Sequence, residues 1–354
     1  MTRLYVVGGR AKRNRRELDE WHGYERGLVL RVDVDTGSAE CVAEYVSPPD
    51  ACPDDEPSIT FKSGTLVDGR LHVCTQTEIL SYRLSDFRLA NYLSLPFFND
   101  VHHVLPTPEG GYLVAVTGLD MVAEVSADGE TLRHWDVLGE DTWARFSPTV
   151  DYRKVATTKP HKSHPNFVFR TGDDIWVTRH WQRDAVCLTK PGRRIDVGIG
   201  NPHDGLVVNG SVYFTTIEGC VVKADATTGA REMLLAANDI VGTDQALGWC
   251  RGIRPLDDNR IVVGFSRIRQ TRLHDNIQWL KDRLKSMARY GQSYLTMPTR
   301  ISCFDAGRKS VCWELNLETY GMNAVFSIHA DNSEAPPLAT AGTTCAGPSN
   351  RELR

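Results

Sequence analysis

Residues 201–229, NPHDGLVVNGSVYFTTIEGCVVKADATTG, read as three short strands separated by two tight turns. Residues 205–208 are an apolar run, Asn209-Gly210 is a hairpin turn, 211–216 alternate, Glu218-Gly219 turn again, and 220–225 alternate once more. Residues 231–235 add a fourth strand, which makes the unit an antiparallel meander. One such sheet cannot cover both of its faces, so the unit has to recur.

Copies appear on both sides of it. Strand-like runs fall at 63–66, 70–75, 79–84 and 88–93; at 102–106, 112–117, 121–125 and 130–135; and at 166–170, 175–178, 185–189 and 194–197. A further set, at 252–255, 260–265, 300–304 and 310–315, is split by an insertion. Only three strands precede these copies, at 4–7, 27–34 and 40–46, and a lone one follows at 323–328. A strand missing at one end and left over at the other is the arithmetic of a closed ring, with the last segment supplying the inner strand of the first blade. The expected fold is all-β, a six-bladed β-propeller spanning residues 1–330, or seven-bladed if the insertion hides strands. A polar, flexible tail is expected at 331–354. A β-sandwich would predict neither this period nor the orphan strand.

Composition narrows the partners. The 354 residues are 41% hydrophobic and 24% charged with a net charge of −4, which argues against nucleic acid on electrostatic grounds. The basic run RAKRNRR is followed at once by ELDE and neutralises itself. The start has neither a signal peptide nor a membrane span, so a cytoplasmic protein acting on a small molecule is expected. Nine scattered cysteines without a CxxC pair read as reduced thiols filling core. Val7-Gly8-Gly9-Arg10 follows a strand but lacks the helix of a dinucleotide site.

Strand parity points to one working face. The turns between first and second strands, and between third and fourth, are tight almost throughout: Asp68-Gly69, Gly110-Gly111, Asn209-Gly210, Asp128-Gly129, Ala306-Gly307. The long segments 10–26, 47–60, 136–163, 236–249 and 267–299 all fall on the opposite face, and loops of that length carry function. Within the last, HDNIQWLKDRLKSMARY (274–290) has Ile277, Leu280, Leu284 and Met287 at helical spacing. It predicts an amphipathic helix, either a lid over the mouth or packed on the side of blade six.

The residues that lead into the innermost strands carry the chemistry. They place His102, His164 and His203 at equivalent positions on three successive blades, where strands converge on the axis. Three neutral imidazoles with an open position can hold a divalent metal ion, with zinc, iron, calcium and magnesium all open. Side chains alternate along a strand, so only one of His102 and His103 is expected to face inward, and His161 is an alternative to His164. Asp204, Asp100 and Asn166 can complete or orient the ligands, while Arg251 and Lys62 are cations suited to an anionic substrate. Asp204, Lys62 and Arg251 are thus the candidate catalytic residues, and Asn166, Arg251 and His180 the candidate substrate contacts. His180, beside Trp181, either reaches the rim or lies on the surface. A polar, water-filled channel is the competing account of the same histidines.

The stretches SHPNFVFRTGDDIWVTR and GNPHDGLVVNGSVYFTT resemble NHL and SMP-30/gluconolactonase-like six-bladed propellers, in which a Pro-Asn or Pro-Asp-Gly segment leads into an aromatic second strand. In the gluconolactonase-like group the Asn and Asp of those segments bind a divalent cation, which that resemblance carries onto Asn166 and Asp204. Histidines precede both, and no acidic ligand from the first blade is identifiable. The histidine-rich mouth is similar instead to peptidyl-hydroxyglycine lyases and streptogramin lyases, whose resemblance implies histidines and a metal used for bond cleavage. The expected function is a metal-dependent lyase or hydrolase acting on a small polar or anionic metabolite. A non-haem iron oxygenase with a histidine-only shell and a non-catalytic ligand- or protein-binding propeller are the alternatives.

Overall fold

The computed structural model describes residues 3–13, 20–243, 245–268 and 296–331. The helix expected at 274–290 and nearly all of the expected tail lie outside these residues.

Six four-stranded antiparallel sheets form a β-propeller. The innermost strands of blades two to six are Gly64–Val67, Val101–Pro106, Pro165–Thr171, Leu206–Val208 and Trp249–Pro255. Blade one is closed by both ends of the chain. Ala324–Ala330 forms its inner strand and pairs with Arg3–Ala11, which pairs in turn with Tyr24–Asp33 and that with Ser38–Tyr45. This is the orphan-strand closure that the repeat count implies.

Turn chemistry sets each blade locally. Asn209 (φ 49°) with Gly210 (φ 78°), and Asp68 (φ 49°) with Gly69 (φ 67°), both take the left-handed pairs that two-residue hairpins require. Packing then makes the ring. Each sheet is covered on both faces by its neighbours, so middle strands such as Tyr112–Val116 are buried along their whole length, while the outer strand Thr131–Asp136 is mostly exposed. The apolar clusters lie between blades: Phe169 and Trp176 of blade four pack with Val212, Phe214 and Val222 of blade five. Five of the described cysteines, Cys52, Cys74, Cys187, Cys250 and Cys303, are buried thiols. No helix among the described residues is long and apolar enough to cross a membrane.

The Gly8-Gly9 pair belongs to this closure. A Cβ on Gly8 would lie 1.8 Å from the Ala324 carbonyl oxygen, and one on Gly9 2.2 Å from Thr60 Oγ1. Glycine here lets the C-terminal strand approach where the register slips between Val7 and Gly8. Gly8→Ala is therefore expected to lower stability by roughly 1–3 kcal/mol, since the clash is with backbone that cannot rotate away. An unchanged midpoint in urea unfolding would mean that the terminal strand is not docked as described.

Candidate functional site

Besides the closing strand Ala324–Ala330, three inner strands carry a bulge where they reach the mouth on the long-loop face. The pairing register slips between Val101 and His103, between Pro165 and Val168, and between Cys250 and Ile253. Bulges re-aim side chains, and His102, Asn166 and Arg251 stand at these three slips. His102 and His103 consequently part company. The His102 ring lies 4.9 Å from that of His164 and 6.1 Å from that of His203. His103 stacks on Phe167 at 3.6 Å and donates from Nε2 to the Gly64 carbonyl (3.1 Å).

Two more rings join. His164 is 5.0 Å from His161 and 5.3 Å from His180, so five imidazoles occupy one space. His180 is in the cluster rather than on the surface, and Trp181 beside it is 57% exposed at the rim.

The loop bearing His161 and His164 is held by a residue that strand alignment passes over. The Asp120 carboxylate, with no exposed surface, accepts the backbone N–H groups of Lys162 (2.8 Å), Ser163 (3.0 Å) and His164 (2.8 Å), and a bond from Arg145 Nη1 (3.1 Å). His164 (φ 60°), Asp100 (φ 49°) and Asp120 (φ 50°) all have left-handed backbones, which side chains disfavour. Strain of this kind persists where surrounding bonds over-determine it, and Asp120 supplies three of those bonds. Asp120→Ala is expected to destabilise the protein by about 3–5 kcal/mol, because it strands a guanidinium and three amides. Asp120→Asn, retaining one acceptor oxygen, should lose less; equal losses in denaturant titrations would show that the bonds do not matter.

Burial sets the protonation of the rings. It holds His102 and His164 well below the ordinary imidazole value, helped at His102 by Lys62 and at His164 by His102. His203 and His161 are also lowered by burial, against the opposing pull of Asp204 and Asp100. Neutral imidazole is the ligating form. For Asp100 burial works upward, yet Lys62, His102, Lys159 and His161 together outweigh it and hold the carboxyl far below its usual range.

The remaining candidates divide by position. Lys62 Nζ donates to Asp100 Oδ1 and lies 3.5 Å from His102 Nδ1, beside a small space of about 20 Å³. Asp204 Oδ2 accepts from Gly252 N (2.9 Å) and the Thr215 hydroxyl, tying blade five to blade six beneath His203. Asn166 gives Nδ2 to the Pro202 carbonyl (3.1 Å). The cavity at this mouth, about 470 Å³, is walled by Trp21, Trp181, Trp249, Arg251 and the histidines His161, His164, His180 and His203, with Asn166 also on it. The Arg251 guanidinium carbon lies 5.3 Å from the Trp249 ring and 4.8 Å from that of Phe326, stacking that fixes its plane.

Several buried polar atoms here have no hydrogen-bond partner among the described residues: both ring nitrogens of His203, Nδ1 of His180 and Oδ1 of Asn166. The nearest acid to His203 Nδ1, Asp204 Oδ1, is 3.6 Å away. Buried polar groups are normally satisfied, so these point to something other than protein. One oxygen of Asp100 and one nitrogen each of His161 and His164 lie within 4.8 Å of one another, the only such donor group among the described residues. His161 and His164 also bring their Nδ1 atoms to 2.7 Å, two lone pairs with one proton between them. His102 and His203, expected as ligands, stand beside this group and not in it.

No protein family and no curated protein matches the sequence. Among solved structures, a protein of unknown function from Bacteroides caccae is 15% identical with a TM-score of 0.56, covering 93% of this chain and 99% of that one. A nidogen/laminin complex is 7% identical with a TM-score of 0.53, covering 92% and 98%. A streptogramin B lyase is 12% identical with a TM-score of 0.44, covering 90% of each chain. The first two similarities are of fold alone, that of the six-sheet β-propeller described above.

Proposed function

We propose that this chain is a metal-dependent enzyme that works at the histidine-lined mouth on a small anionic molecule, by lyase or hydrolase chemistry. One observation carries the reading: a carboxylate oxygen and two imidazole nitrogens converge within 4.8 Å beside a cavity large enough for a substrate. Orphaned nitrogens on His203 and His180 in the same space support it. Asp100, His161 and His164 would hold the ion, Lys62 would orient the carboxylate, and His102 and His203 would offer neutral nitrogens for proton transfer. When bound, the metal supplies Lewis acidity toward a carbonyl or a leaving oxygen. Arg251, stacked between aromatic rings, fits a carboxylate or phosphate on the substrate. Trp21, Trp181 and Trp249 fit a flat or apolar body attached to it.

An imidazole-rich donor set favours zinc or iron over calcium or magnesium. Two histidines and one carboxylate are also a ligand set of non-haem iron oxygenases, so an iron oxygenase remains the second reading, with Asp100 in place of one histidine of the expected histidine-only shell. Elemental analysis of protein purified without chelator tests both at once. Stoichiometric zinc favours the lyase or hydrolase and iron favours the oxygenase. Absence of any metal, with no thermal stabilisation on adding either ion, would leave a non-catalytic binding propeller.

A further inference from the structure

The opposite end of the channel opens on the tight-turn face as a cavity of about 840 Å³. It shares none of its lining with the histidine cavity apart from the strands that run between them. Its walls include Arg170 and Arg254 from the inner strands of blades four and six, together with His103, His329, Phe167 and Phe169.

The two arginines lack the acid partner that four other half-buried or buried ones have. Arg145 pairs with Asp120 (3.1 Å), Arg179 with Asp184 (2.7 Å), Arg267 with Glu318 (2.7 Å) and Arg300 with Glu314 (3.0 Å). The side chains of Arg170 and Arg254 make no ion pair or hydrogen bond among the described residues, and the Nε of each is buried without a partner. Burial alone lowers the pKa of Arg254, with no acid opposing it. Four acids also line this cavity: Asp68, Glu109 and Asp173 are exposed at its rim on hairpin turns, and Asp331 is half-buried and accepts from the Tyr5 hydroxyl (3.4 Å). Both side chains are half-buried with Nε out of water and without an acceptor, and two cations on one cavity with no ion pair among the described residues fit an anion from solution.

We infer that this mouth is a second ligand site, built to take a small carboxylate or phosphate between Arg170 and Arg254 with its apolar part against Phe167 and Phe169. The site is independent of the histidine mouth and of whatever reaction occurs there.

Inorganic phosphate and succinate, titrated separately into the full chain by calorimetry and thermal unfolding, test it and tell phosphate from carboxylate recognition. At least one should bind and raise the unfolding temperature. Arg254→Met and Arg170→Met should each weaken that binding about ten- to a hundredfold, the loss of a charge-assisted hydrogen bond. Without the anion, Arg254→Met should unfold at the same or a higher temperature, because an unpaired buried charge has gone. Three results overturn the inference: neither probe binds; Arg251→Met and not Arg254→Met abolishes binding, which moves the anion to the histidine mouth; or Arg254→Met lowers stability without anion and leaves binding intact, which makes the residue structural.

Discussion

On the proposed function, the double variant His161→Ala/His164→Asn is expected to bind zinc or ferrous iron more than about 100-fold more weakly than the parent chain, since even residues that only support ligands contribute ten- to a hundredfold. Asparagine is the choice at position 164 because the backbone there is left-handed (φ 60°), a conformation asparagine tolerates and alanine does not. The variant should still unfold cooperatively at neutral pH, because the Asp120 bonds that shape the loop run to backbone N–H groups and not to either ring. His203→Ala, by contrast, should weaken the metal far less, since its nitrogens fall outside the converging group. Metal content by elemental analysis and chelator competition reads both. If His203→Ala removes the metal and the double variant keeps it, the ion sits nearer the axis, on the ligand set that the aligned strands suggest.

That contrast marks how far the sequence could be read. Blades are built from turns and short apolar runs, which are local signals. The pairs at Asn209-Gly210 and Asp68-Gly69, and the orphan strand at 324–330, therefore disclosed the ring. Strand parity also set the histidines on the long-loop face, where a cavity of about 470 Å³ is walled by long loops and blade-to-blade connections. The site was legible only as far as parity holds. At Val101/His103 and Cys250/Ile253 the bulges break alternation, and a bulge leaves little trace in one sequence beyond a glycine such as Gly252 (φ 78°). The start of the strand Trp249–Pro255 went unread for the same reason.

The loop residues were harder still. His161 and Asp120 meet the site through a non-repetitive connection whose course depends on bonds between residues 42 to 44 positions apart. No periodicity encodes such contacts. The signal that remained was chemical: an aspartate closing the short turn Thr117–Leu119, and tryptophans at Trp21, Trp181 and Trp249 gathered on one face.

Acid should unfold this protein abruptly, well before its carboxylates titrate. His72, His103, His180 and His329 are each buried, and burial pushes their pKa values down to about 4, 3, 3 and 3; nearby Arg70 adds to the effect at His72, His203 and Arg251 at His180, and Arg254 at His329. In the unfolded chain each returns to about 6.5. Above that value both states hold the rings neutral, so pH has no leverage through them. Below it the unfolded chain takes up protons that the folded chain refuses, and stability falls as pH falls, until the folded values near 3 to 4 are reached. Each ring approaches about 1.4 kcal/mol per pH unit, so four together approach roughly 5 kcal/mol per unit. Against a typical total of about 5–15 kcal/mol, that places the midpoint of acid unfolding near pH 5. Ion-paired carboxylates such as Asp174 and Glu318, lowered from their ordinary values, act in the same direction but only in the more acidic window below about 4.5. Replacing one buried ring without a charge, as in His329→Gln, should shift the acid midpoint downward even if it costs some stability at neutral pH. Urea unfolding at pH 7, 6 and 5 reads the slope directly; a flat profile across that range would mean that these rings are hydrated in the folded protein.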